Sequence, residues 1–150
     1  MDEKVYEENL RGNISLLTNE VESHPDTQFY FFFPAYSMLW WDGIYRTGER
    51  DAFIYCEKEA VRTLLSYDNV KVFCFQNEEE IITNLDNYMD SIHFSPEINK
   101  LMMERMAADE NRMTADNYEA ILDDMIVLSD KIENDLIKPY EEQNMITYEQ

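Results

Sequence analysis

The chain has 150 residues, of which 45% are apolar and 13% aromatic, enough for one globular domain and too many for a disordered one. It carries 32 acidic and 12 basic residues, which gives a formal net charge of −20. Because phosphate backbones and anionic membrane surfaces repel so acidic a chain, we expect it not to bind nucleic acid or such membranes.

The first half of the chain predicts a helix, a strand and a second helix. Leu10, Ile14, Leu17 and Val21 recur at helical spacing and predict a helix over residues 3–22. The continuous apolar run at 28–33 is typical of a strand buried on both faces, as in a parallel sheet. Residues 36–48 are aromatic and show no clear period, so they are predicted to be irregular. A second helix is predicted from about 49 to 66.

The second half begins with another apolar run at 70–75, which predicts a second buried strand. A short helical piece at 77–83 and a loop at 84–94 follow. Ser95-Pro96 is a good helix start, and that helix is predicted to run to about 107. Another helix is predicted to start at Thr114 and to stop before Pro139.

These elements predict an α/β fold with parallel strands near 28–33 and 70–75, followed by C-terminal helices. Residues 1–138 form the predicted domain, and residues 139–150 a polar, frayed tail. Two parallel strands alone would leave apolar edges unpaired. We therefore expect further strands to come from a preceding N-terminal half, from another chain or from self-association.

Several classes of site and segment are disfavoured by the sequence. The longest apolar run, from Phe29 to Trp41, is too short to span a bilayer and contains Pro34, and the N-terminus does not resemble a secretory signal. Cys56 and Cys74 lack Cys-x-x-Cys spacing, so free buried thiols are the simplest interpretation and a disulfide between them stays open. The two histidines are far apart in sequence, and we predict neither a metal site nor a cofactor.

One short segment carries residues suited to catalysis. Asp90 and His93 are three residues apart in the loop that follows the second predicted strand, where open α/β sheets place their ligands. In an ester hydrolase, an imidazole takes the proton of a serine hydroxyl, and a carboxylate orients that imidazole. The same pattern also occurs in ordinary surface loops, and Asp86 is a second candidate for the carboxylate.

The context of this pair resembles the C-terminal half of bacterial SGNH/GDSL-type hydrolases. The resemblance covers roughly residues 5–107 and rests on three segments: the strand at 28–33 with Pro34-Ala35-Tyr36-Ser37 after it, the strand at 70–75, and Asn84–Pro96 with its Asp-x-x-His element. It implies a flavodoxin-like three-layer α/β/α sandwich. It also implies that His93 is the general base and that Asp90 orients it.

The resemblance is partial, because these 150 residues contain neither the family's Gly-Asp-Ser block with the nucleophile nor its Gly-x-Asn-Asp block. Ala35 also stands where relatives often have a second proline. We therefore expect a partial ester hydrolase or O-acyltransferase domain that is inactive alone. For the completed enzyme the resemblance implies an acylated carbohydrate or another small ester as substrate, and a cell-envelope or extracytoplasmic location.

The residues after the first strand are candidates for substrate binding. Tyr36, Trp40 and Trp41 could form an aromatic wall for an acyl chain or a sugar, or a hydrophobic cluster that covers the end of the sheet. Ser37 could face the same crevice, although a turn hydroxyl is the simpler interpretation because no nucleophile elbow surrounds it.

A second function is compatible with the same sequence. The chain could be a non-catalytic acidic interaction domain, or a degenerate remnant, that recruits another chain through its open sheet edge.

Overall fold

A computed structural model describes the backbone of residues 3–144 and the side chains of residues 8–143. Its helices are α1 (Glu3–Ser23), α2 (Met38–Arg46), α3 (Arg50–Leu64), α4 (Glu79–Ile82), α5 (Pro96–Ala107), α6 (Tyr118–Lys131) and α7 (Lys138–Asn144). A 3-10 turn covers Leu85–Asn87, and a π-helical segment, Ile132–Ile137, joins α6 to α7.

The sheet is mixed and open. Its strands are β1 (Phe29–Phe33), β2 (Val70–Cys74) and β3 (Arg112–Met113), in the order β1-β2-β3. β1 and β2 are parallel and paired from Phe29 with Val70 to Phe33 with Cys74. Because the helical connection of α2 and α3 joins two adjacent parallel strands, the predicted βαβ unit and the α/β class are confirmed.

The two predicted strands alone would leave both outer edges of the sheet unpaired, but the outer edge of β2 is paired with a third strand of the same chain. β3, which the sequence did not reveal, runs antiparallel to β2 and pairs Met113 with Val72 and Arg112 with Phe73. A strand of two residues is too short to show the alternation of apolar and polar residues by which a strand is predicted. The preceding turn contains Asp109 and Asn111 with positive φ angles of 61° and 58°, which allow the chain to reverse over a short distance.

Within the described residues, no strand pairs with the other edge of β1. The amide of Phe29 donates to Asn69 and the carbonyl of Phe33 accepts from Phe75, so the odd-numbered residues direct their backbone groups toward β2. Because backbone groups alternate along a strand, those of Tyr30 and Phe32 point to the open edge. Their side chains are 48% and 41% exposed, so one face of β1 is also only partly covered.

Residues 38–46, predicted to be irregular, form α2. Adjacent apolar residues such as Trp40 and Trp41 hide the helical period, because a helix face is recognised by polar residues between the apolar ones. Ser37 lies at the N-cap position with extended backbone. Trp41 is fully buried, so α2 contributes one of the largest side chains of the core.

The C-terminal helix does not stop before Pro139, contrary to the prediction. Pro139 is the second residue of α7, which follows the π-helical segment directly, so helical backbone continues from Tyr118 to Asn144. Arg46, which is bonded to Asp42 within α2 (2.5 Å), connects α2 to this region through its bond to Glu141 (2.7 Å). The predicted frayed tail is therefore helical up to Asn144, and its remaining residues lie outside the described part of the chain.

A single hydrophobic core holds these elements together. Its fully buried members lie in or next to α3, β2, β3 and α6 and include Ile54, Val61, Val72, Phe73, Phe75, Met113, Leu122 and Met125. Cys74 is buried, Cys56 is partly buried, and both thiols are free. Among the described helices, none is both long enough and apolar enough to cross a membrane.

Candidate functional site

The loop with Asp90 and His93 is a short, well-anchored hairpin. Tyr88 and Phe94 form an antiparallel bridge, and the amide of Met89 donates to the carbonyl of His93 at 2.8 Å. The hydroxyl of Tyr88 donates to the carbonyl of Ala35 at 2.6 Å, and burial raises the pKa of this phenol to about 12. The loop is thereby attached to the segment that follows β1.

Ser37 provides the second attachment of the loop. Its amide donates to the carbonyl of Ser91 at 3.2 Å, and its hydroxyl donates to the same oxygen at 2.8 Å. The Ser37 side chain is fully buried. This hydroxyl therefore fixes the position of the loop at the carboxyl end of β1, the end of the sheet at which the sequence predicted a site.

Asp90 and His93 are in direct contact. Oδ2 of Asp90 lies 2.6 Å from Nδ1 of His93. Oδ1 of Asp90 accepts hydrogen bonds from the amides of Ile92 (2.9 Å) and His93 (2.8 Å). These two amides, together with the imidazole, lower the pKa of Asp90 to about 2. The carboxylate is thus ionised at neutral pH and held in place by its own loop. Within the described part of the chain, Asp86, the alternative carboxylate, forms no hydrogen bond or ion pair with His93, and its amide donates to Oδ1 of Asn84 at 3.2 Å.

The side chains of this pair face solvent. His93 is 63% exposed and Asp90 49% exposed. A carboxylate at Nδ1 favours the tautomer that carries its proton on that nitrogen, which leaves Nε2 as a proton acceptor. Within the described residues, no hydroxyl group is hydrogen-bonded to Nε2 of His93. The pair therefore offers a base that points outward from the end of the sheet.

The tautomer of His93 can be measured directly. We expect 15N NMR of the imidazoles to show His93 mainly as the Nδ1–H form, and Asp90→Ala to shift it toward the Nε2–H form that is usual in water. His24, whose Nδ1 lies 2.9 Å from the carbonyl of Glu20 in an exposed turn, is the internal control. An unchanged His93 spectrum in Asp90→Ala would contradict the contact.

A cavity of about 410 Å³ lies at the same end of β1. It is lined by Leu10, Phe33, Pro34, Tyr36, Trp40, Phe53, Cys56, Glu57, Ala60, Gln76 and Ile92. Two of the four predicted substrate-binding residues, Tyr36 and Trp40, are in its wall, and their rings are 4.9 Å apart. The other two, Ser37 and Trp41, are fully buried and are not in the wall. Ile92, the residue before His93 in the sequence, is also in the wall, whereas His93 and Asp90 are not.

Sequence reasoning missed the polar residues of this cavity, Glu57 and Gln76. Glu57 is 5% exposed, and its Oε1 accepts a hydrogen bond of 2.7 Å from Nε2 of Gln76. Burial raises the pKa of Glu57 to about 8, and the bond from Gln76 opposes that rise only in part. A signal was present: Glu57 lies four residues after Phe53 and three before Ala60, on the apolar stripe of α3.

No protein-family model, curated protein or solved structure matches this chain. The resemblance to SGNH-type hydrolases thus remains a prediction from the residues at 28–37, 70–75 and 84–96. Among the described residues, no group of three or more His, Cys, Asp or Glu side chains is arranged to hold a metal ion.

Proposed function

We propose that the chain is the C-terminal part of an SGNH-like ester hydrolase or O-acyltransferase. In this proposal, His93 accepts the proton of a serine hydroxyl as the serine attacks an ester carbonyl, and then delivers the proton to the leaving group. Asp90 keeps the imidazole in the tautomer that can accept this proton. The serine belongs to a Gly-Asp-Ser segment outside these 150 residues, so the chain alone is inactive.

The contact between Asp90 and His93 carries the proposal. A catalytic dyad needs an ionised carboxylate at one ring nitrogen and a free second nitrogen, and the 2.6 Å contact to Nδ1 provides this arrangement. Two backbone amides hold the carboxylate in place before any substrate binds. The loop of this pair also contributes Ile92 to the wall of an apolar cavity at the carboxyl end of a parallel strand, where such folds bind ligands.

Exposure of the imidazole has two interpretations. A half-assembled site leaves its base open to solvent, and an ordinary surface loop does the same. The open edge of β1, next to the same end of the sheet, favours the first interpretation, because a further parallel strand could pair there and bring its own loop toward His93.

The coding DNA directly upstream, and in neighbouring genes, provides the first test. We expect it to encode a segment with Gly-Asp-Ser. When this segment and the chain are expressed together, the two-part protein should hydrolyse p-nitrophenyl acetate and release acetate from an O-acetylated polysaccharide. Neither activity should occur with this chain alone. A soluble, folded two-part protein without either activity would count against the proposal.

The open edge of β1 favours a second candidate function, an interaction domain that recruits another chain by strand addition. The backbone groups of Tyr30 and Phe32 lie at this edge, and their aromatic side chains are about half exposed. Unpaired edge groups beside an apolar surface are a template for another strand. A stable complex without any hydrolysis would support this function over the first.

A charge on the edge tests strand addition. We expect Phe32→Lys to weaken any self-association of the chain about tenfold or more, because an edge lysine would have to be buried by an incoming strand. Val127→Lys, on an exposed residue of α6, is the control with the same change in charge. Sedimentation velocity over a range of concentrations measures the effect. Equal association of both variants would exclude β1 as the contact.

A further inference from the structure

One residue of the cavity wall carries a polar atom that the proposed reaction does not use. Oε1 of Glu57 is bonded to Gln76, but Oε2 is buried and has no hydrogen-bond partner in the described part of the chain. Glu57 is one of the residues that line the cavity. A buried polar atom without a partner is rare and costly, and a ligand that supplies the partner is one physical reason to retain it.

The orientation of Gln76 fixes which atom of Glu57 carries the proton. Oε1 of Gln76 lies 3.9 Å from Sγ of Cys74, as the acceptor of a thiol hydrogen bond, and this arrangement turns Nε2 of Gln76 toward Glu57. Because Nε2 is a donor, Oε1 of Glu57 must be an acceptor. In the neutral acid, the proton is then on Oε2. The unpartnered atom is therefore a donor that lacks an acceptor.

The surroundings of Glu57 keep this acid neutral. Among the residues that line the cavity, none is a lysine, arginine or histidine, and Tyr36 and Cys56 are the other titratable groups. From β2, Cys74 adds a thiol whose pKa is raised by burial to about 12. None of these groups supplies a positive charge that would stabilise an ionised Glu57.

Most of the rest of the wall is apolar, and four elements contribute to it. Leu10 belongs to α1, Phe33 to β1, Trp40 to α2 and Phe53 to α3. The volume of about 410 Å³ is within the usual range for sites that bind small molecules. We propose that this cavity binds an uncharged apolar molecule through a carbonyl oxygen that accepts a hydrogen bond from Oε2 of Glu57. Acyl esters belong to this class.

Binding of this kind does not depend on His93, so it can be tested apart from catalysis. Methyl octanoate is a suitable probe, and fluorescence of Trp40, which lies in the wall, reports its binding. We expect saturable binding to the full chain, with the same affinity in His93→Ala. If His93→Ala abolishes hydrolysis by a completed enzyme, ester binding in this cavity should persist. If the original chain does not bind the ester, the cavity proposal fails and the proposed role of His93 is unaffected.

The donor is tested by two substitutions at one position. Glu57→Leu removes the hydrogen bond and should weaken binding about tenfold. Glu57→Gln retains a donor and should bind within about threefold of the original protein. Ala60→Phe, which fills the cavity, should abolish binding. Circular dichroism establishes that each variant is folded.

The pH dependence identifies the protonated acid as the donor. Because the pKa of Glu57 is about 8, binding to the original protein should weaken about tenfold between about pH 7 and pH 9, while Glu57→Gln should show no such change. Absence of saturable binding, equal binding by Glu57→Leu, or tighter binding as the pH rises would each overturn the proposal. The last result would indicate a cationic ligand that pairs with the ionised carboxylate.

Discussion

His93→Ala should reduce ester hydrolysis by the completed two-part enzyme by about 10⁴- to 10⁶-fold, the range of losses when the aspartate or the histidine of a serine triad is removed. The serine would then lack a base, since Nε2 of His93 is the acceptor that the contact with Asp90 leaves available. The loss should fall on kcat, because the imidazole acts in the transition state and contributes little to binding of the ester. Steady-state kinetics with p-nitrophenyl acetate measure both parameters.

The second histidine of the chain provides the control. His24 lies in an exposed turn before β1, and His24→Ala should leave kcat unchanged. Asp90→Asn keeps the shape of the side chain but removes its charge, so it should cost about 10³- to 10⁴-fold in kcat with little change in KM. Hydrolysis at the original rate in His93→Ala would exclude this histidine as the base, whatever the effect of Asp90→Asn.

The sequence predicts the βαβ unit well, because buried parallel strands leave a strong signal. The runs at 28–33 and 70–75 are continuous and apolar, and the helix between them is long enough to show its period. The short strand β3 has no such signal, since Arg112–Met113 depends on a turn with two positive φ angles and on the edge of β2 for its conformation. Local pattern does not encode an element that exists only through tertiary pairing.

The candidate site was predictable to a similar extent. The spacing of Asp90 and His93 was visible, and their contact follows from a tight loop in which Asp90 accepts two local amides. The sequence does not show which tryptophan is a core residue and which lines the cavity, because Trp40 and Trp41 are neighbours with the same side chain. In α2 they point about 100° apart, so Trp41 enters the core and Trp40 the cavity wall. Only packing decides between them.

Glu57→Gln should stabilise the protein by roughly 3 to 5 kcal/mol at about pH 9, the free energy that corresponds to a rise in pKa from 4.5 to about 8. The folded state holds the Glu57 proton more tightly than the unfolded state does. Stability is therefore unaffected by this group below about pH 4.5, falls as the pH rises from there to about 8, and then levels off. Glutamine cannot ionise, and its carbonyl oxygen can still accept from Gln76.

Urea unfolding of both proteins across this pH range measures the difference. The gap in free energy of unfolding should be small near pH 5 and should widen by about 1.4 kcal/mol per pH unit until about pH 8. Glu80→Gln, at an exposed residue of α4, is the matched control, and its gap should stay nearly constant. A constant gap for Glu57→Gln as well would show that Glu57 is ionised in the folded protein, and a charged carboxylate in this cavity would need a cation as its partner. The same measurement thus decides whether the cavity offers a hydrogen-bond donor or a negative charge to its ligand.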